Sequence, residues 1–252
     1  MSAVSSLGAN YYGQIASGTR IMSAADGPSE MSIIQKETAQ IRGYDMGTRN
    51  ATDGQSVLNI ADAGIAGITD QLQRMRELAV QASNTAVMTD GDRRAIQDEI
   101  DQLKEGIAYA ANNTEFNTKK LLDGSNSNMQ ITSGANGEGM QIDTGNATLQ
   151  ALGIANFDVT SGNFDIQTID NALQSINQTR SSIGAQYNSL DHAIGYNTNT
   201  SYNLTRAMSQ TSDTDIEKAV SEQDKKQLLQ TMRFMMQKKQ EEEERRKNSL
   251  LF

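Results

Sequence analysis

Apolar residues recur along this chain at alternating steps of three and four, the spacing that lines one side of a helix packed lengthwise against others. The clearest run lies between Gln55 and Ser83, where Leu58, Ala61, Ile65, Ile68, Leu72, Met75, Ala79 and Ala82 form one heptad seam. A rise of about 1.5 Å per residue makes this helix roughly 43 Å long, about the span of a small domain. Upstream, Pro28 at a first helical position predicts a helix from about Pro28 to Thr48, with Met31, Ile34, Thr38 and Ile41 along its seam. Gly43 and Gly47 weaken its end, and RNATDG is expected to bend or break it before the central helix begins. Residues 1–17 have weak periodicity around Leu7, Tyr11, Tyr12 and Ile15, which predicts a short, frayed helix.

Beyond the central helix, Thr89 and Asp92 have the spacing of a capping box and open a second long helix with Ile96, Ile100, Leu103, Ile107 and Ala110 on its seam. So short a connection folds it back antiparallel as an αα-hairpin. From about Asn112 to Val159 the period changes: MQIT and MQID flank SGANGEG, and Asn136-Gly137 is the dipeptide that best tolerates positive φ at both corners of a tight hairpin turn. The longest seam comes last, through Ile169, Leu173, Ile176, Ile183, Tyr187, Leu190, Ile194, Leu204 and Met208, with Arg180, Asn197 and Ser201 at the remaining grid positions. Those polar residues are either register-setting or a locally exposed stretch, the latter being the expectation. The final stretch carries an apolar edge at Leu229, Met232 and Met236, read as packing surface, before the charged run KKQEEEERRK.

The pattern therefore predicts a mainly α fold: an elongated bundle of long antiparallel coiled-coil-like helices with a small β-hairpin subregion. Its parts are an N-terminal segment (1–17), N-terminal core helices (18–111), a β-hairpin region (112–160), a C-terminal core helix (161–210) and a charged C-terminal helix (211–252). Composition sharpens this. Of 252 residues, 37% are hydrophobic but only 5% aromatic, which suits thin aliphatic seams better than a globular heart, and one Pro leaves helices uninterrupted. A net charge of -9 disfavours nucleic acid and anionic membrane, each of which needs a basic stripe. Without Cys there is neither disulfide nor thiol chemistry. The start lacks a basic n-region followed by an apolar h-region, and no window approaches the run of about 20 apolar residues that a membrane span needs.

Candidate chemistry is sparse. The single His, His192, falls beside the seam residue Leu190 with no second ligand or nucleophile in view. The acidic pairs Asp90/Asp92 and Asp213/Asp215 lack a calcium-loop pattern and read as caps and turns, and Glu241–Glu244 as a solvated face. The glycines around Asn136 lack the phosphate-loop order. No catalytic, metal or cofactor residue is nominated, and an enzyme is not expected.

The chain resembles bacterial flagellin. SGTRIMSAADGPSE, RNATDGQSVLNIADAGI, LQRMRELAVQAS, AIQDEIDQL, TEFNTKKLLDGS, IDNALQSINQTRSSIGAQYNSLDHAI and SDTD are similar to that family's segments and collinear with them from about Ser17 to Asp215. The resemblance implies a core domain of two N-terminal helices and one C-terminal helix bundled with a β-hairpin. It also implies a secreted filament subunit, exported unfolded without a cleaved signal peptide, whose partners are other flagellin subunits, an export chaperone and a host flagellin-sensing Toll-like receptor. Only a short link joins LGIANFDV to FDIQTID, where many flagellins carry outer variable domains, so those are expected to be missing. Carried over by position, Gln73, Arg74 and Leu78 in LQRMRELAVQ and Glu99 in AIQDEI match family positions that contact the receptor and lie in subunit packing. Arg74 and Leu78 are i,i+4 neighbours off the seam, which predicts an exposed Leu beside an Arg and a Glu. Two departures stand out: a shortened segment before SGTRI, and the charge of KKQEEEERRKNSLLF where the family is rich in Ala and Gln. Packing that charge into a tube wall carries a desolvation cost unless each group finds a partner. A hook-filament junction component and a non-polymerising receptor- or chaperone-binding protein remain as alternative functions.

Overall fold

A computed structural model of the chain describes residues 13–126 and 128–249. The tyrosine-bearing part of the frayed helix expected over 1–17 lies outside the described residues, and 13–17 forms a helical turn. The long helices are α1 (Pro28–Ala82), α2 (Asp90–Asn113), α3 (Gln167–Ser212) and α4 (Ile216–Ser249). Between α2 and α3 come two small antiparallel ladders, β1 (Glu115–Phe116) with β2 (Lys119–Lys120), and β3 (Met129–Thr132) with β4 (Gly139–Ile142). The fold is mainly α, and no described helix is long and apolar enough to cross a membrane.

The chain forms two compact units: Gln40–Ser201, and the residues up to Ala39 together with those from Tyr202 onward. Within Gln40–Ser201, the pairs Gln71 with Gly106 and Gly64 with Thr114 bring falling numbers on α1 against rising numbers on α2 and its end, so those helices run antiparallel. Arg76 with Asp170, Asp62 with Arg180 and Asp45 with Ser201 fix α3 antiparallel to α1 in the same way. All eight seam residues from Leu58 to Ala82 are buried, as are Ile96, Ile100 and Ile107 of α2 and Ile169, Ile176, Ile183 and Leu190 of α3. Leu121, Leu122, Ile142, Ile154 and Val159, all from the connection between α2 and α3, complete the same core. Each large aliphatic buried there contributes about 1.5–3 kcal/mol.

The second helix begins as its sequence requires. Thr89 Oγ1 accepts the Asp92 N–H at 3.3 Å while the Asp92 carboxylate accepts the Thr89 N–H at 2.9 Å, a reciprocal capping box.

RNATDG neither bends the chain out of helix nor breaks it, for α1 is one helix of 55 residues. Its glycines act through close approach instead. A Cβ on Gly43 would stand 2.8 Å from the Ala135 carbonyl oxygen, and one on Gly47 would stand 2.2 Å from that of Ser133. The bare helix face is where the tip of the β3–β4 hairpin sits. What looked like helix weakness is room for a neighbour.

The hairpin tip also departs from the expected turn. Ser133 and Gly134 N–H both donate to the Glu138 carbonyl, a bulge, so the loop is wider than a two-residue turn, and only Gly137 has positive φ (93°) there. The two-residue turn with positive φ at both corners occurs instead at Asn117 (47°) and Thr118 (66°), between β1 and β2. Asn and Thr without Gly is a weak signal for it.

In the other unit, Thr19 bridges Asp213, and Arg20 Nη2 donates to the Thr211 carbonyl at 2.9 Å. Asp215 caps α4 by accepting the Lys218 N–H at 3.0 Å. Leu228, Leu229, Met232, Phe234, Met235 and Met236 of α4 are exposed. The Met row read as packing surface therefore has no cover among the described residues.

Candidate functional site

The residues singled out on α1 and α2 lie within the Gln40–Ser201 unit, and heptad geometry decides which of them face solvent. With Leu58, Ile65, Leu72 and Ala79 in one row and Ala61, Ile68, Met75 and Ala82 in the other, two flanking rows remain. Asp62, Thr69 and Arg76 form one, and it meets α3: the Arg180 guanidinium donates twice to Asp62, at 2.7 and 3.3 Å, and Arg76 Nε donates to Asp170 at 2.6 Å. Val57, Gly64, Gln71 and Leu78 form the other, and it meets α2 and the chain just beyond it, with Gly64 against Thr114 and Leu122 and Gln71 against Gly106.

That second row corrects one expectation. Leu78 is 2% exposed and part of the core, not an exposed Leu beside an Arg and a Glu. A helix packed against a second partner buries apolar residues beside its seam, here Val57 and Leu78. The heptad register contained this signal, but it became legible only once α1 was known to have two partners.

Gln73 and Arg74 are exposed on α1. Arg74 lies between two carboxylates, 3.0 Å from Glu77 and 2.8 Å from Glu99 on α2, so it clips the two helices together at the surface. Its hydrogen bonds to Glu99 first and then to Glu77 raise the guanidinium above its already high range, fixing it as a cation. Side-chain exposure of 50% for Arg74 and 45% for Glu99 leaves the cluster open to a partner. Of the four nominated residues, Arg74 and Glu99 are thus joined at the surface, Gln73 is exposed, and Leu78 is buried.

The remaining candidates are engaged structurally. Asp90 pairs with Arg93 at 2.6 Å, Asp92 is in the capping box, Asp213 accepts the Ser212 hydroxyl and Asp215 caps α4. His192 is exposed on α3, and Glu241–Glu244 are exposed on α4. Of the polar residues on the α3 grid, Arg180 and Ser201 bond α1 near its surface, but Asn197 is 3% exposed. Its Nδ2 donates to the Ser133 carbonyl at 2.7 Å. The expectation of local exposure fails there, since the hairpin tip covers the residue and uses its amide.

Sequence reasoning also missed Gln97. Buried on α2, it donates to Asp101 at 2.9 Å and accepts the Val159 N–H at 2.9 Å, tying the connection before α3 to the helix pair. A polar residue next to the seam residue Ile96 was its only trace.

Two family models match the chain, the bacterial flagellin N-terminal helical region over residues 3–127 and the C-terminal helical region over 166–243. It is similar to a flagellin of Halalkalibacterium halodurans, 37% identical over 222 residues that cover 86% of this chain and 81% of that one. It is also similar to a flagellin of Bacillus subtilis, 33% identical over 253 residues covering 86% and 83% of the two chains. Among solved structures, Bacillus cereus flagellin matches with a TM-score of 0.52 at 31% identity, over 59% of this chain and 88% of that one.

Proposed function

Because this chain belongs to the bacterial flagellin family, we propose that its work is done by helix faces: it is a structural subunit of the flagellar filament and serves motility by assembling with other flagellin subunits. The observation that carries this reading is the pair of helical regions, 3–127 and 166–243, that flank the small β region and account for most of the chain. A face of packed helices offers extended, repeated contact area, which is what a head-to-tail assembly of identical subunits requires. As a filament component it resides outside the cell, reaching it unfolded through the flagellar export apparatus with a chaperone's help. The lack of Cys is compatible with passage through a narrow channel.

Purified protein placed under polymerising conditions, with and without flagellin seeds, tests this by electron microscopy. Filaments are expected, and monomers that persist with seeds overturn the reading.

At Gln73, Arg74 and Glu99 we place a surface that serves subunit packing and a flagellin-sensing receptor. Arg74 and Glu99 already bond across α1 and α2, so those two side chains are positioned before any partner arrives. Arg74→Ala is expected to weaken receptor binding by around 1 kcal/mol or more with helix content unchanged. Equal affinity of variant and parent removes this assignment.

A further inference from the structure

The tip of the β3–β4 hairpin carries the one Asn-Gly pair in the sequence, Asn136-Gly137, and both residues are exposed. Gly137 has φ 93°, and open space surrounds the position where a side chain would stand, so nothing crowds the residue on that side. Its N–H makes only a long bond, 3.4 Å to the Gly134 carbonyl. A weakly bonded amide nitrogen directly after an Asn carboxamide is the arrangement in which the backbone attacks the side chain. Opposing it, Glu138 holds Asn136 at two points: Oε2 accepts the Asn136 N–H at 3.1 Å and Oε1 accepts Nδ2 at 3.2 Å.

From these contacts we infer that Asn136 is a site of spontaneous deamidation, and that the Glu138 carboxylate is its brake. The Gly137 nitrogen, giving its proton to solvent hydroxide, forms a bond to Asn136 Cγ. The Cγ–Nδ2 bond breaks, and ammonia leaves with a proton taken from water. Water then opens the five-membered imide at either carbonyl, leaving aspartate or isoaspartate at position 136, with no change of oxidation state. For the carboxamide carbon to swing onto the Gly137 nitrogen, the tether to Glu138 must first release.

The product differs from the parent where the hairpin is seated. A carboxylate at position 136 stands against Glu138 without the amide donor that joined them, so two like charges replace a hydrogen bond. The isoaspartate form also lengthens the backbone of a loop whose Ser133 carbonyl is held by Asn197 and whose Ser133 and Gly134 amides are held by Glu138. The modification therefore loosens the hairpin tip from the glycine face of α1.

The test is peptide mapping by mass spectrometry of the intact protein after incubation at mildly alkaline pH, for the parent and Glu138→Ala, with a free peptide of residues 132–140 as the unclamped reference. The parent is expected to convert at Asn136 more slowly than the peptide. Glu138→Ala is expected to convert about tenfold faster than the parent, the factor carried by one hydrogen bond to an ionised acceptor. An intact Asn136 in the parent after the peptide has fully converted overturns the site. Equal rates for parent and Glu138→Ala overturn the brake.

Discussion

Replacing Gly47 by Ala separates two forces that act in opposite directions on the same residue. In a solvent-exposed helix the change stabilises by about 1 kcal/mol, because Gly loses more backbone entropy than Ala on folding. Here the added Cβ would stand 2.2 Å from the Ser133 carbonyl oxygen, 2.8 Å from its carbon and 3.1 Å from Asn197 Nδ2. The first two are backbone atoms, so relief requires the hairpin tip to move. Overpacking of that kind costs about 1–3 kcal/mol. Displacing Ser133 also parts its carbonyl from the buried Asn197 amide, and leaving such groups unsatisfied costs about 1–3 kcal/mol more. Against the helix gain, the net is a loss of about 1–5 kcal/mol, or a fall in melting temperature of roughly 2–20 °C for a chain of this size. Gly67 on the same helix provides the control, since a Cβ there meets nothing within 4 Å. Gly67→Ala is expected to stabilise by about 0.5–1 kcal/mol. Thermal and urea unfolding of the monomers, followed by helix circular dichroism, reads both. A Gly47→Ala protein as stable as its parent would refute the claim that this glycine face seats the hairpin.

Leu78→Ala should destabilise the monomer by about 2–5 kcal/mol, as for any buried Leu, whereas an exposed Leu would cost almost nothing; urea unfolding distinguishes them. Asn197→Ala should cost about 1–3 kcal/mol, and hydrogen exchange should show the loss concentrated at residues 133–138, with the α2 amides unchanged. Arg180→Ala should cost no more than about 1 kcal/mol by the same unfolding assay, and less at high salt, because its pair with Asp62 is at the surface. Asp92, Asp123 and Asp158 are held below the usual carboxylate range by hydrogen bonds from Thr89, Ser125 and Thr160. Their folded values lie below the unfolded ones, so the stability they add is complete above about pH 4 and is lost as pH falls through the depressed values. Melting temperature should drop over that acid range, and Thr89→Val should flatten the drop; an unchanged acid profile in that variant would contradict the assignment.

The apolar periodicity of this chain settled which residues form its seams, because a heptad repeat has one low-energy arrangement in water: burial of its stripe against another stripe. Leu58 to Ala82 and the long α3 seam needed nothing beyond that, and the Thr89/Asp92 box is a local device whose partners are three residues apart. Sequence also marked Glu241–Glu244 as a solvated face, and they are exposed. It did not establish who faces whom. Leu78 is buried because α1 meets a second helix, Asn197 because a hairpin tip lands on it, and Gly43 and Gly47 are permitted in an unbroken helix because that same tip needs their missing side chains. Each outcome depends on atoms distant in sequence arriving within a few ångströms, and a periodic pattern records that a face is apolar or bare without recording what fills it. Tertiary packing supplied the partner, and with it the sign of each residue's contribution.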